Sequence, residues 1–309
     1  MKYKKPKFWD SKQKSFFAIL LFPFSLLFLL FSKIKNIKPK TKFSIPVVCI
    51  GNIYLGGTGK TPVAMEIFKI TQSLGKKPGF VKKFYSYLED EINMLKEIGA
   101  TFVYKNRIEA INVLIKNKYD LAVLDDGLQD PTIKKDFSIV CFNSEQWIGN
   151  GLLIPAGPLR EKLSSINAVD CIIINGNKNK EIEEQIFKYA SGTTKIFYSK
   201  YKIINSEKFK NKNLIAFAGI GNPINFFNLL NENNFKIYET ISFPDHHYFL
   251  EKEFNLLLQK AEKINGELIT TEKDYNRMSN EQKKYCNFIK VDLEIKDKSE
   301  LINLIKNKI

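Results

Sequence analysis

Histidine, cysteine and arginine are all scarce in this chain, and each scarcity narrows the function. The sequence of 309 residues holds two histidines and four cysteines. Cys49, Cys141, Cys171 and Cys286 form no CxxC pair, and three of them sit inside apolar, strand-like runs. That spacing offers neither a zinc site nor a disulfide framework, and it reads as reduced core thiols of a cytosolic protein. The histidines are neighbours, His246 and His247, so any imidazole chemistry falls on one dipeptide. Arg107, Arg160 and Arg277 are the only arginines, and every other basic residue is lysine. A zinc pattern and an RNP-like aromatic run are both missing, so charge alone argues for nucleic acid.

Lysine is what the chain has in excess. The net charge of +15 calls for an acidic partner: nucleic acid, an anionic membrane surface or a phosphorylated substrate. The lysines are spread along the chain and accompany many Asn and Ile residues, so part of the charge is compositional bias and solvated surface. No nucleic-acid partner is expected. The length fits two α/β domains, and 44% apolar residues suffice for their cores.

The N-terminus carries one long apolar run. Residues 1–15 are basic, residues 16–31 (FFAILLFPFSLLFLLF) are almost wholly apolar, and lysines resume at position 33. A bilayer-crossing helix needs about 20 apolar residues, and Pro23 would kink this one. No small-x-small cleavage site follows, which weighs against a signal peptide. A single span and a buried core helix stay open. A helix lying in the inner leaflet, with lysines on anionic headgroups, fits best. We therefore expect residues 1–32 to form a membrane-associated segment.

Downstream, apolar strands alternate with helices, which argues for a parallel sheet with helices on both faces. Strands are expected at 45–51, 76–81, 101–104, 120–125, 137–142, 169–174 and 195–203, and helices after the first strand to about 74 and over 89–98, 107–117 and 181–190. A Lys/Asn-rich stretch at 205–213 marks the junction to a second, smaller α/β domain. There, strands are expected at 214–218, 235–241, 267–270 and 287–291, and helices at 223–233, 250–264 and 279–284. The expected domains are 33–205 and 206–309.

The sharpest motif is Gly56-Gly57-Thr58-Gly59-Lys60-Thr61, between the first strand and its helix. Glycines let backbone N–H groups turn toward phosphate oxygens, and a helix N-terminus favours negative charge. Lys60 would reach the β- and γ-phosphates, and Thr61 would hold Mg²⁺. The leading glycine of the usual GxxxxGK[ST] pattern is Tyr54 here, followed by Leu55. Leu121-Ala122-Val123-Leu124-Asp125-Asp126 is an apolar strand ending in acid, as P-loop NTPases use to hold Mg²⁺. Asp90 and Glu91 open a helix, where the dipole alone would account for them. His246 and His247 follow Phe243-Pro244-Asp245, and Asp245 is placed to orient one imidazole.

Taken together, GNIYLGGTGKTP (51–62), DEINML (90–95), LDDGLQD (124–130), NGLLIPAGPLRE (150–161), FAGIGNP (217–223), FPDHH (243–247) and TTEKD (270–274) resemble the tetraacyldisaccharide 4′-kinase family of lipid A biosynthesis. The resemblance runs from Phe8-Trp9 to about Asp274. It implies transfer of the ATP γ-phosphate to the 4′-hydroxyl of a tetraacylated glucosamine disaccharide 1-phosphate. It also implies two α/β domains with the nucleotide cleft between them and an N-terminal membrane-binding helix. The implied catalytic residues are Asp90 as base, His246 as its partner and Lys60. The phosphate loop is residues 54–61. Thr61, Glu91, Asp125 and Asp126 go to the metal, and Arg107, Gln129 and Tyr85 to the substrate. No oligomer is expected, and the resemblance implies a place on the cytoplasmic face of the bacterial inner membrane.

Three features depart from the family pattern. Lys82-Lys83-Phe84-Tyr85 stands where Ser-Arg-Gly-Tyr is usual, and lysine lacks the bidentate fork of arginine. The loop from there to Asp90 is short. Asp130 replaces the histidine that usually ends the DDGxQH run. A P-loop GTPase or metallochaperone is the alternative, but no NKxD motif supplies guanine recognition.

Overall fold

The computed structural model describes residues 5–11, 15–35, 39–85 and 88–309. Its described residues divide into two compact units. The larger holds residues from Lys5–Tyr85, Leu95–Lys200 and Leu293–Ile309, and the smaller holds Tyr201–Asp292 together with 88–94. The expected split falls at 205/206. It makes no provision for 88–94, which go with the smaller unit, or for 293–309, which go with the larger.

The larger unit opens with a 3-10 turn, Lys7–Trp9, and α1 (Phe16–Lys35). β1 (Val47–Gly51), α2 (Lys60–Ser73), β2 (Pro78–Lys83), α3 (Glu89–Ile98, of which residues up to Met94 count with the smaller unit), β3 (Thr101–Tyr104), α4 (Arg107–Lys116) and β4 (Leu121–Asp125) follow. β5 (Phe137–Asn143), β6 (Cys171–Asn175), α5 (Lys180–Phe187) and β7 (Lys195–Ile203) complete the run. The eight-stranded sheet has the order β12-β7-β6-β5-β1-β4-β2-β3, where β12 is Val291–Ile295. β1 lies between β4 and β5, parallel to both, and its register sets Ile50 against Asp125. The loop leaving β1 therefore starts beside the acid ending β4.

Alternation explains why the strands read as continuous apolar runs. Val81 joins Val47, Cys49 and Leu124 against Ile111 and Leu114 of α4. Phe80, one residue earlier and so on the opposite face, stacks on Phe68 of α2 with ring centroids 4.3 Å apart. Each fully buried side chain of this kind contributes about 1.5–3 kcal/mol. All four cysteines are free and buried. Burial pushes the Cys49 thiol up to about 11 and raises the other three above their ordinary value.

α1 has two characters. Ala18 and Ser25 are buried, while Phe16, Phe17, Phe24, Leu27, Leu30 and Phe31 are more than half exposed. Ser25 donates to the Leu153 carbonyl (2.8 Å) and accepts from the Ala156 N–H (3.1 Å), which ties the helix to the 150–161 motif. Trp9 also holds that motif, through Nε1 to the Pro155 carbonyl at 3.0 Å. Among the described residues no helix is long and apolar enough to cross a membrane.

The smaller unit is built on β8 (Leu214–Ala218), α6 (Pro223–Glu232), β9 (Ile237–Ser242), α7 (Glu251–Lys263) and β10 (Glu267–Thr271). α8 (Glu272–Arg277), α9 (Asn280–Lys283) and β11 (Cys286–Ile289) follow, and the chain ends on α10 (Lys298–Lys306). Its four strands run parallel in the order β11-β10-β8-β9. Phe217 on β8 packs edge-on against Phe243 and Phe249. The single closing strand expected at 287–291 is two strands, β11 and β12, which belong to different sheets. α8 and α10 are further additions. α8 is too short for a periodic signal, and its start is fixed by Thr271, whose hydroxyl accepts from the Asp274 N–H.

Candidate functional site

In the larger unit, the chain between β1 and α2 turns through two left-handed glycines, Gly56 (φ 137°) and Gly59 (φ 84°). Gly59 caps α2, so Lys60 and Thr61 are its first residues. Asn52 braces the loop from inside. Its amide donates to the Tyr54 carbonyl (2.6 Å), the Gly56 carbonyl (3.3 Å) and the Thr58 hydroxyl (2.9 Å). Tyr54, at the position usually glycine, is fully buried and donates its hydroxyl to Asp10 (2.6 Å). Any phosphate contact from Tyr54 therefore falls to its main chain. The 150–161 motif holds the segment, with Leu55 N–H on the Pro158 carbonyl (2.8 Å) and Arg160 N–H on the Ile53 carbonyl (2.7 Å).

The paired acids differ in partners. Asp125 is fully buried and accepts from the Thr61 hydroxyl at 3.2 Å. The same oxygen takes the ammonium of Lys82, itself 2% exposed. Lys82 stands at the serine of the usual Ser-Arg-Gly-Tyr run, one residue before the arginine position, and its role was not apparent from the sequence. Register could have found it, since Val81 pairs with Leu124 and puts Lys82 level with Asp125. The other Asp125 oxygen, Oδ1, is buried without a hydrogen-bond partner. Asp126 instead takes Arg160 at 2.9 and 3.2 Å. Burial would raise its carboxyl, but Lys60, Arg160, Lys82 and Arg107 outweigh that and hold it below the usual range.

Two candidate substrate residues are engaged within the same unit. Arg107 bonds the Asp126 carbonyl (2.6 Å) and Asp130 (3.2 Å), so Asp130 is the partner of an arginine. Gln129 donates to the Asn52 carbonyl and to Glu161, both at 2.9 Å, and accepts from Arg160 at 3.3 Å. Tyr85 is partly exposed, with the Lys83 ammonium over its ring at 5.4 Å. Among the described residues no three His, Cys, Asp or Glu side chains converge on a metal position. Mg²⁺ keeps waters and substrate phosphates as ligands and needs only one or two carboxylates. The Thr61 hydroxyl and the orphaned Asp125 oxygen are hard donors that fit it.

In the smaller unit, the first turn of α3 carries Glu89, Asp90 and Glu91. Asp90 is buried and lies 3.7 Å (Oδ1) from Nδ1 of His246. That exceeds an ordinary hydrogen bond, as is common for catalytic pairs without substrate. Arg277 donates to Asp90 Oδ2 through Nε (3.1 Å) and Nη2 (2.8 Å). Lys273 approaches the same oxygen at 3.5 Å and pairs with Glu91 at 2.9 Å. Burial opposes ionisation of Asp90, but His246, Lys273 and Arg277 prevail and hold it far below the carboxylate range. Asp90, His246, Asn276 and Arg277 line one cavity, and the Asn276 amide nitrogen is buried without a partner.

The two histidines are told apart by their partners. His246 stands in the left-handed region (φ 56°), with its N–H on the Gly219 carbonyl and on Asp245, both at 3.0 Å. Asp245, the expected orienter, thus holds the backbone, and its carboxylate is 3.9 Å from the ring. His247 bonds Glu253 at 2.8 Å and stacks on Phe243, away from Asp90's partner set.

Comparison with known proteins bears on the family and the fold. The family model described as tetraacyldisaccharide-1-P 4′-kinase (LpxK) matches residues 17–91 and 86–309. A tetraacyldisaccharide 4′-kinase of Pelagibacter ubique is 44% identical, over 99% of this chain and 98% of its own. One from Parvibaculum lavamentivorans is 33% identical, over 89% and 87%. The crystal structure of LpxK from Aquifex aeolicus in complex with ATP superposes with a TM-score of 0.72 at 22% identity, covering 94% of this chain and 98% of that one. That likeness bears on the fold, and the sequence matches bear on the family, leaving the switch-protein alternative without support. This chain belongs to the tetraacyldisaccharide-1-P 4′-kinase family.

Proposed function

We propose that the protein transfers the γ-phosphate of ATP to the 4′-hydroxyl of a tetraacyldisaccharide 1-phosphate, giving the 1,4′-bisphosphate of lipid A biosynthesis. The observation that carries the reading is Asp90 held beside His246 on the wall of a cavity. A sugar hydroxyl is a poor nucleophile. Asp90 accepts its proton as the new oxygen–phosphorus bond forms and the bond to the ADP oxygen breaks. His246 orients that carboxylate and adjusts its basicity. Lys60 and the loop N–H groups offset charge on the transferring phosphoryl, where most of the rate gain arises. Mg²⁺, when bound, adds to that charge neutralisation. Thr61 and Asp125 are its proposed ligands, with Asp126 as a further candidate. Arg107, Gln129 and Tyr85 remain candidates for acceptor contacts.

The exposed apolar side of α1, flanked by lysines, suits a peripheral position on the anionic cytoplasmic face of the inner membrane, where the acceptor resides. Replacing Phe17, Leu27 and Leu30, exposed on α1, by serine should reduce co-sedimentation with anionic vesicles while ATP binding persists. Undiminished sedimentation would remove the anchor assignment. The activity itself is tested by incubating the protein with Mg-ATP and tetraacyldisaccharide 1-phosphate and reading product mass. One added phosphate that disappears in Lys60→Ala is expected. A folded, ATP-binding protein that yields no product would refute the proposed acceptor.

A further inference from the structure

Arg277 has no assigned part in the reaction, yet it touches more of the Asp90 site than any residue the motifs single out. Its side chain is 5% exposed. One edge of the guanidinium, Nε and Nη2, closes on Asp90 Oδ2 and leaves Oδ1 facing His246. The remaining nitrogen, Nη1, donates to the Gly219 carbonyl (2.8 Å) and to Asp274 Oδ1 (2.9 Å). That Gly219 carbonyl is the same acceptor that holds the backbone N–H of His246. Asp274 is fixed in turn, because its Oδ2 accepts from the Gly219 N–H (3.0 Å) and the Thr271 hydroxyl (2.7 Å). Space at residue 219 is tight, since a Cβ there would stand 3.0 Å from His247 Cβ and 3.2 Å from Asp274 Oδ1.

We infer that Arg277 is a positioning residue for phosphoryl transfer, fixing Asp90 through one edge of its guanidinium and His246 through the shared Gly219 carbonyl. The inference rests on the reading of Asp90 as the base. A planar fork with donors on two sides can hold both at once, and a lysine ammonium at this place would hold one. Lys273 already supplies positive charge to Asp90. What Arg277 adds is direction: one carboxylate oxygen is occupied and the other is left for the acceptor hydroxyl. Misplacement of a catalytic group by about 1 Å costs on the order of a hundredfold in rate.

The test is a double-mutant cycle on the full chain, read as kcat and as KM for ATP. Arg277→Met should lower kcat by about a hundredfold and leave the KM for ATP within about threefold. Arg277→Lys should recover part of that loss. In the Asp90→Asn background, Arg277→Met should cost no further turnover, because its effect runs through Asp90. Losses that multiply in the double variant, or near-normal turnover in Arg277→Met while Asp90→Asn is inactive, would overturn the inference alone. Near-normal turnover in Asp90→Asn would instead overturn the base reading beneath it. If thermal melting shows Arg277→Met unfolded, the same cycle run with Arg277→Lys decides by the same non-additivity.

Discussion

The two units control their acids by different routes. In the larger one, Asp125 is held by a lysine from the adjacent strand, and Asp126 by an arginine from the 150–161 motif. In the smaller one, Asp90 on a helix is held by an arginine far along the chain and by a lysine four residues before it. The first arrangement sets a cation on one Asp125 oxygen and leaves the other for a metal. The second leaves one carboxylate oxygen directed toward an imidazole. Asp125 and Asp90 are both buried, so the contrast between them lies in what each cation leaves available.

The largest expected effect tests the smaller unit. Asp90→Asn should lower turnover by about 10²–10⁴-fold in an initial-rate assay while ATP still binds by calorimetry. Turnover near that of the wild type would erase the functional contrast. Next, Lys82→Met leaves the Asp125 carboxylate buried and unpaired. It should cost about 3–5 kcal/mol in urea unfolding, read for the larger unit. A stability loss under about 1 kcal/mol would mean that solvent or Lys60 replaces Lys82 beside Asp125. The smallest effect separates the histidines. His246→Gln should lower kcat with little change in stability, whereas His247→Gln should cost about 1 kcal/mol of stability and spare kcat. A reversed pattern would exchange their roles.

Much of this was legible in the sequence because it is local. A strand, a glycine turn and a helix are written within residues 47–73, and the acid ending β4 lies one strand away in a parallel register. The element ranges through β10 were readable for the same reason. The partners of Asp90 were not. Arg277 meets it across 187 positions, and no periodicity records such a meeting. Lys82 appeared only as a departure from a pattern, although the pairing of Val81 with Leu124 already implied its neighbour. The division of the final strands between two sheets was hidden because β11 and β12 are short and separated by a single residue.

The buried thiols carry a practical consequence. All four cysteines are buried, and their protonated form is favoured. Thiol reagents attack the thiolate, so they should find no ready target in the folded protein. A cysteine introduced at Phe17, which is 62% exposed on α1, would then be the one reactive handle. A fluorophore attached there could report how deeply the helix enters a lipid surface, with every native cysteine left in place.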